Sequence, residues 1–332
     1  MSLEGSSRKE GKYINPIPTR DGGFDKLIPI LKEYISNRAE NTPKKTLGPF
    51  KTDVALYNMP PASGLRITWI GHSSLLIEID GKRILTDPVW SDRVSFSQFM
   101  GPKRFFAPPL TLQELPPLDA VIISHDHYDH LDKKTINFFA DSAIPFYCSL
   151  GVGRYLEKFG IIKNYITEMD WGDSVMLDLD CVLTAAPARH FSGRGIMNRN
   201  ETLWSSFIIK GHTHNIFFGA DSGWFEGFND IGKTFGPFDL TILEIGAYGK
   251  YWPEIHMGPD HATNAHLALK GKIMMPIHWG TFNLAPHAWY EPVERLLKYA
   301  NQKKIHLFLP APGQPTEVVS DYNSGWWKAY LS

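Results

Sequence analysis

Between residues 65 and 86 the chain runs in short β-branched bursts. Leu65-Arg66-Ile67-Thr68-Trp69-Ile70 is followed by Ser74-Leu75-Leu76-Ile77-Glu78-Ile79, an Asp80-Gly81 turn, and Arg83-Ile84-Leu85-Thr86. Apolar runs of this length bounded by turn residues predict a meander of strands. From residue 119 the texture changes, and apolar runs suited to strands buried on both faces alternate with segments of helical period. The pattern predicts a strand over 119–124, a helix over 133–140, a strand over 144–148 and a helix over 154–159. Further strands are expected over 174–185, 204–210, 215–220, 240–245, 273–277 and 305–309, and helices over 259–270 and 292–302. Pro259 suits a first helical turn, where its missing N–H would be unpaired in any residue, with Gly258 as the cap. The simplest layering is two packed sheets with helices outside, an α/β (α+β) fold.

Residues 1–60 read differently. They are rich in Pro, Gly, Lys and Asn, with one amphipathic stretch, 24–39, in which Leu27, Ile30, Leu31, Tyr34 and Ile35 recur at helical spacing. A chain of 332 residues permits two domains, but large α/β folds often use this length for one core. The expected organisation is an N-terminal arm with one helix over 1–60 and one domain over 61–332.

Composition then removes several classes of function. With 34 Lys+Arg against 35 Asp+Glu the net charge is -1, so no general attraction to nucleic acid is expected. Hydrophobic residues at 43% and charged residues at 21% exclude disorder over most of the chain. Cys148 and Cys181 lie in apolar strand-like runs and read as buried thiols, not a disulfide framework. No segment reaches the roughly 18 apolar residues of a membrane span. The opening Met1-Ser2-Leu3-Glu4-Gly5-Ser6-Ser7 has neither a basic nor an apolar signal region and reads as an added leader in place of any natural signal. A cytoplasmic or membrane-peripheral location is the expectation. The 20 Phe, 13 Tyr and 10 Trp are expected mainly in the core.

One stretch dominates the chemistry: Ser124-His125-Asp126-His127-Tyr128-Asp129-His130-Leu131-Asp132, directly after Val121-Ile122-Ile123. Alternate positions of an extended chain point the same way, so His125 and His127 can converge on one metal ion, while Asp129 and His130 face a second. Three further apolar runs end in ligand-type residues, at His190, Asp221 and His278. The expected assignment is His125, His127 and His190 at one site, Asp129, His130 and His278 at the other, and Asp221 bridging. Nitrogen and carboxylate donors without thiolate suit two Zn²⁺ ions, with Fe or Mn compatible.

The H-x-H-x-D-H run, the later His190, Asp221 and His278 and the two-textured α/β pattern resemble the metallo-β-lactamase fold superfamily. Within it, seven segments are similar to N-acylphosphatidylethanolamine-hydrolysing phospholipase D and its bacterial relatives. They are Asn15-Pro16-Ile17-Pro18-Thr19, Trp69-Ile70-Gly71-His72, Leu85-Thr86-Asp87-Pro88, Gln98-Phe99-Met100-Gly101-Pro102-Lys103-Arg104-Phe105, Phe235-Gly236-Pro237-Phe238-Asp239, Ile245-Gly246-Ala247-Tyr248 and Ile277-His278-Trp279-Gly280-Thr281-Phe282. The resemblance spans residues 15–282 and implies an αββα sandwich of two mixed sheets, with the same seven residues as metal ligands. Asp221-Ser222-Gly223 stands where many relatives carry Asp-Thr-Gly, and the aspartate is kept.

The implied activity is that of a dinuclear phosphodiesterase of phospholipase D type, acting on N-acylphosphatidylethanolamine or a similar small or lipid amphiphile. A hydroxide between the metals would attack phosphorus, with Asp221 holding the pair and Asp129 counted with it among the catalytic residues, because a metal lowers the pKa of water from about 15.7 to about 7. His256 matches a histidine near the phospholipase site, which implies phosphate binding or leaving-group protonation. His72 and Asp87 are expected to orient ligand imidazoles through their second ring nitrogen. The loop of Phe96, Phe99, Met100, Phe105 and Phe106 suits an acyl chain, and Lys103 and Arg104 its phosphate. Phe99, Met100, Lys103 and Arg104 are the substrate-binding candidates, and peripheral membrane contact is compatible with them; burial under the arm is the other reading of this loop. His212, His214, His261, His266, His287 and His306 read as structural, the first two in an exposed turn. A lactonase or other small-molecule ester or phosphodiester hydrolase keeps the same site. A di-iron redox centre fits less well, because such centres usually carry glutamate where His127 stands.

Overall fold

The computed structural model describes residues 3–20, 40–195 and 197–331, with positions 29, 32, 33 and 36 between the first two stretches. Most of the helix expected over 24–39 lies outside the described residues; the four positions described within it are helical. A hairpin of β1 (Ser7–Lys9) and β2 (Lys12–Ile14) precedes the first large sheet. That sheet sets β3 (Leu65–Gly71), β4 (Ser74–Ile79), β5 (Lys82–Thr86), β6 (Ala120–Ile123), β7 (Phe146–Ser149) and β8 (Ile166–Met169) side by side in chain order. The second does the same with β9 (Ser174–Asp178), β10 (Cys181–Pro187), β11 (Ser205–Lys210), β12 (Asn215–Phe218), β13 (Phe238–Glu244), β14 (Gly271–Ile277) and β15 (His306–Leu309). The chain's end adds one edge strand to each, β16 (Thr316–Glu317) beside β3 and β17 (Tyr322–Asn323) beside β15.

Strand parity sorts the core. Ile84 and Ile122 join Ile67 and Ile77 in a cluster shared with Leu183, Phe207 and Phe218 of the second sheet. Their neighbours Leu85, Val121 and Ile123 instead join Ile136 of α1 (Lys133–Phe138) and Leu156 of α2 (Gly153–Lys158), because successive side chains leave opposite faces of a strand. Phe217, alternating with Phe218, meets Phe228 of α3 (Gly227–Thr234) edge-on. α4 (Gly258–Ala268) packs against β13, β14 and α5 (Glu291–Lys303). The result is a mixed αββα sandwich, as expected.

Some expectations need correction. The run read as one strand over 174–185 is a hairpin, β9 and β10: the Asp178 carboxylate accepts the Asp180 N–H and turns the chain at Leu179. β8 and α3 were not predicted. α3 is built from weak helix formers (Gly, Asn, Thr), and the packing of Phe228 and Ile231 against the core holds it. The arm's described residues are stitched to the domain. Tyr13 is buried with Trp171 and Trp204, and its N–H reaches Asn200 O at 2.8 Å. Cys148 and Cys181 are free and buried. Among the described residues no helix is long and apolar enough to cross a membrane.

Direction is what places the site. β3 and β5 are both antiparallel to β4, and β6 is parallel to β5, so β3, β5 and β6 end at the same edge. In the second sheet β10 and β12 are both antiparallel to β11, and β13 and β14 continue parallel to β12. These are the strands that lead into His72, Asp87, His125, His190, Asp221 and His278.

Candidate metal centre

The strand ends turn sharply to present their side chains. His72, Asp87 and His278 adopt positive φ of 55°, 36° and 64°, a conformation that costs a non-glycine residue energy and concentrates at functional sites. Gly246 allows the close approach of two such ends, since a Cβ there would lie 2.0 Å from His278 O.

Two donor clusters result, and a third group overlaps them, Asp221 and His278 with Glu244 and His256. His125, His127, His190 and Asp221 place one ligand atom each within 4.8 Å of one another, and so do His72, Asp129, His130 and His278. In the first, His127 Nδ1 lies 2.9 Å from His125 Nε2 and 3.3 Å from His190 Nε2. In the second, Asp129 Oδ2 lies 2.8 Å from His72 Nε2 and 3.3 Å from His278 Nε2. Asp221 spans them: Oδ2 is 3.1 Å from His130 Nε2, 3.6 Å from His190 Nε2 and 3.9 Å from His125 Nε2, and Oδ1 is 3.2 Å from His278 Nε2.

The donors fit metal ions. His130 Nε2, His278 Nε2 and Asp221 Oδ1 are buried without a hydrogen-bond partner, a costly state for polar atoms unless a ligand satisfies them. Imidazole nitrogens and carboxylate oxygens are the donors zinc, iron and manganese share.

Supporting contacts fix the rings. His130 Nδ1 donates to Asp87 Oδ2 at 2.7 Å, and Ser124, bonded to Asp87 through N–H and Oγ, accepts from His125 Nδ1 at 2.9 Å. His190 Nδ1 donates to Ile255 O, and the Asn15 side chain grips the His190 backbone at both its N–H and its carbonyl. The Asn15-to-Thr19 segment of the arm is thereby part of the site's frame. Arg189 reinforces it through Thr19 Oγ1 and Pro18 O.

His72 departs from its expected role. It orients no ligand imidazole through a ring nitrogen; its Nε2 meets the Asp129 carboxylate, and its ring packs on that of His278 at 3.8 Å between centroids. Asp87 does contact a ring nitrogen of a candidate ligand, His130 Nδ1. His256 lies between the clusters, 5.0 Å from the His190 ring and 5.2 Å from that of His278. Its Nδ1 contacts Glu244, the residue that reading the sequence missed. Glu244 is fully buried at the end of β13 and also accepts the Ser222 and Met257 N–H groups. The available signal was a single carboxylate in the apolar run Leu243-Glu244-Ile245.

The substrate-loop candidates separate. Phe99, Met100 and Lys103 are exposed, but Arg104 is buried, bonded to Val89 O and stacked over Phe282, so it is no surface phosphate ligand. Phe106 is buried as well. His214 is not simply exposed: it bonds Asp80 at 2.7 Å and ties the turns at the far end of the two sheets together, whereas His212 faces solvent. His266 and His287 are engaged by Thr241 and by Ala247 N–H.

Electrostatics follow from burial and these neighbours. Burial drives His125 and His190 well below the usual imidazole value, His127 down to about 4 and His72 to about 3, leaving lone pairs free to donate. Burial opposes charge on His130 and His278 too, but Asp221 and Asp129 outweigh it, holding His130 well above its usual value and His278 at about 10. Against the upward push of burial, His130 and His278 keep Asp129 and Asp221 well below the carboxylate range.

Comparison with known proteins agrees with this geometry. A model of the β-lactamase superfamily domain matches residues 82–279. An uncharacterized protein of Mycobacterium tuberculosis is 47% identical over 335 residues, spanning 99% of this chain and 89% of its own length. N-acyl-phosphatidylethanolamine-hydrolyzing phospholipase D 1 of Caenorhabditis elegans is 37% identical over 246 residues, 70% of this chain and 69% of its own. A solved metallo hydrolase from the archaeon Ignicoccus hospitalis shares the fold with a TM-score of 0.58 at 21% identity, covering 77% of this chain and 98% of that one. With paired donor clusters at the shared edge of its two sheets and relatives along nearly its whole length, the chain belongs to the metallo-β-lactamase superfamily of metal-dependent hydrolases.

Proposed function

We propose that the protein is a dinuclear phosphodiesterase of phospholipase D type, cleaving N-acylphosphatidylethanolamine or a similar amphiphile with two Zn²⁺ ions as its metals. The observation that carries the dinuclear half is Asp221, one carboxylate in reach of imidazoles from both clusters. The lipid half is supported by the likeness to the nematode phospholipase along most of the chain. Bound there, two divalent ions supply Lewis acidity to a phosphoryl oxygen and to water, the pattern suited to displacement at a diester.

The chain's own residues do the rest. Asp221 and Asp129 bring the negative charge that offsets a cation pair, while Asp87 and Ser124 lock the rings of His130 and His125. His256 is the proton carrier in this reading: Glu244 holds its Nδ1, leaving Nε2 to contact a phosphate oxygen or protonate the departing alcohol.

The test is incubation of zinc-loaded protein with N-acylphosphatidylethanolamine in mixed micelles, with products identified by mass spectrometry and His125→Ala as the blank. Metal-dependent release of N-acylethanolamine and phosphatidic acid is expected. Intact lipid from metal-replete protein would sink the lipid assignment and move the search to soluble esters, lactones and diesters.

A further inference from the structure

Residues 92–104 form a hairpin-like excursion from the rim of the metal centre. At its base Arg104 pairs with Phe282, whose ring lies 5.2 Å from that of His72. Arg93 pairs with Lys103 higher up, and Val94 N–H reaches Pro102 O. The tip carries Phe96, Phe99 and Met100, which are 77%, 92% and 65% exposed. It is braced from within: Gln98 exchanges hydrogen bonds with the Arg93 backbone in both directions, and the Arg93 guanidinium holds Gly101 O. The bracing keeps three large apolar side chains turned to water.

Directly behind this tip lies a cleft of about 740 Å³, with Phe96 in its wall. It is cationic in a chain of near-zero net charge. Arg93, Lys133, Lys134, Lys158 and Arg194 line it, against one acid, Asp132. Asp132 is already engaged by Ser91, Thr135 and the Trp90, Ser91 and Lys134 N–H groups. Among the described residues, Lys134 and Lys158 form no ion pair. None of the metal-ligand candidates lines the cleft, so its charge answers to something other than the reaction centre.

We propose that this face seats the protein on a bilayer rich in anionic phospholipid, with Phe96, Phe99 and Met100 entering the interface and the lysines of the cleft meeting the headgroups. The inference rests, for its purpose, on the lipid-diesterase reading above. Its physical basis is separate. A rigid apolar tip gains by leaving water, a basic surround gains from the negative potential of the membrane, and a soluble anion would use only the second. The hairpin's base at Phe282 would then hold the metal centre's rim against the bilayer.

Cosedimentation of the metal-loaded protein tests this, using vesicles of phosphatidylcholine alone and of phosphatidylcholine with one third phosphatidylserine. Pelleting is expected with the anionic vesicles and weakly with the neutral ones, and it should fall with added salt. Lys134→Glu with Lys158→Glu should weaken partitioning about tenfold or more, with hydrolysis of the soluble diester bis(4-nitrophenyl) phosphate kept. Phe99→Ser with Met100→Ser should weaken it by a similar factor while metal content and melting temperature stay unchanged. Equal pelleting with both vesicle types overturns the proposal. So does a charge-reversed variant that loses binding while the Phe99/Met100 pair has no effect, since that marks an anion site with no membrane seat. Pelleting without hydrolysis of N-acylphosphatidylethanolamine supports the docking and sinks the activity; hydrolysis in micelles without pelleting does the reverse.

Discussion

The Nδ1 of His256 stands 2.5 Å from the Glu244 carboxylate, which is wholly shielded from solvent and also caps the Ser222 and Met257 N–H groups. The carboxyl is pushed up by burial and held back by His256. One buried acid thus fixes the ring of the candidate proton carrier and, through Ser222, the backbone next to Asp221. Glu244→Gln keeps an acceptor for the two N–H groups but removes the carboxylate partner of His256 Nδ1. His256→Ala should lower kcat by about 10²–10⁴-fold with metal content intact, and Glu244→Gln should give a smaller loss. Wild-type kcat in His256→Ala would remove the histidine from the chemistry.

Asp221 is the carboxylate that reaches imidazoles of both clusters. Asp221→Asn preserves shape but halves the donor character and removes a charge, leaving His130 and His278 without their main counter-ion. Metal content should fall from about two ions per chain to one or fewer, with turnover lost in parallel. Elemental analysis after dialysis checks it; two retained ions would mean that each cluster holds its metal without the bridge.

Asp87 reaches a candidate ligand in each cluster, His130 directly and His125 through Ser124. Asp87→Asn should weaken metal affinity about 10- to 100-fold, as removal of an outer hydrogen-bond partner of a ligating histidine generally does. Competition against a chromogenic chelator should show both sites weakened. If only one weakens, Ser124 holds the His125 ring without help.

The ligand candidates were legible because each follows an apolar run, and the strand directions bring those runs to one edge. The roles of their neighbours were not. His72 has the same signature as a ligand, and only its distance to Asp129 shows that it faces a carboxylate. Glu244 was hidden because it sits in a run that reads as pure core, although a lone buried carboxylate requires partners and is itself a signal. In the 96–106 loop, Phe99 and Phe106 are chemically alike, and only the pairing of Arg104 with Phe282 separates the exposed half from the buried one. The Asp80–His214 contact joins residues 134 positions apart and left no local trace.

His266 offers a pH test away from the metal centre. Buried beside Thr241, it is pushed down to about 4 by burial and by His306. Its folded pKa lies below the unfolded value of about 6.5, so as pH falls the unfolded chain takes up the proton first. Its contribution is complete above pH 6.5 and is lost as pH falls toward 4, by about 3 kcal/mol. Urea unfolding of metal-free wild type and His266→Gln should show the wild type losing more stability between pH 7 and pH 5. Parallel curves would mean that the histidine finds its proton in the folded state.

Metal loading should release protons. With no cation bound, Asp221 and Asp129 hold His278 up to about 10 and His130 well above its usual value, so both imidazoles are protonated at neutral pH. A ligating imidazole must be neutral at the donor nitrogen, so each of these rings gives up a proton when a metal takes its Nε2. His125, His127 and His190, already neutral through burial, release none. Filling both sites at pH 7.5 should therefore liberate about two protons from these rings, beside about one from a water that ionises between the metals, which a weakly buffered indicator solution can count. Release brings a pH dependence of fixed sign: each proton lost on binding weakens metal affinity about tenfold per pH unit as the solution is acidified. In His278→Gln the count should drop by about one, and an unchanged count would assign that proton to another group.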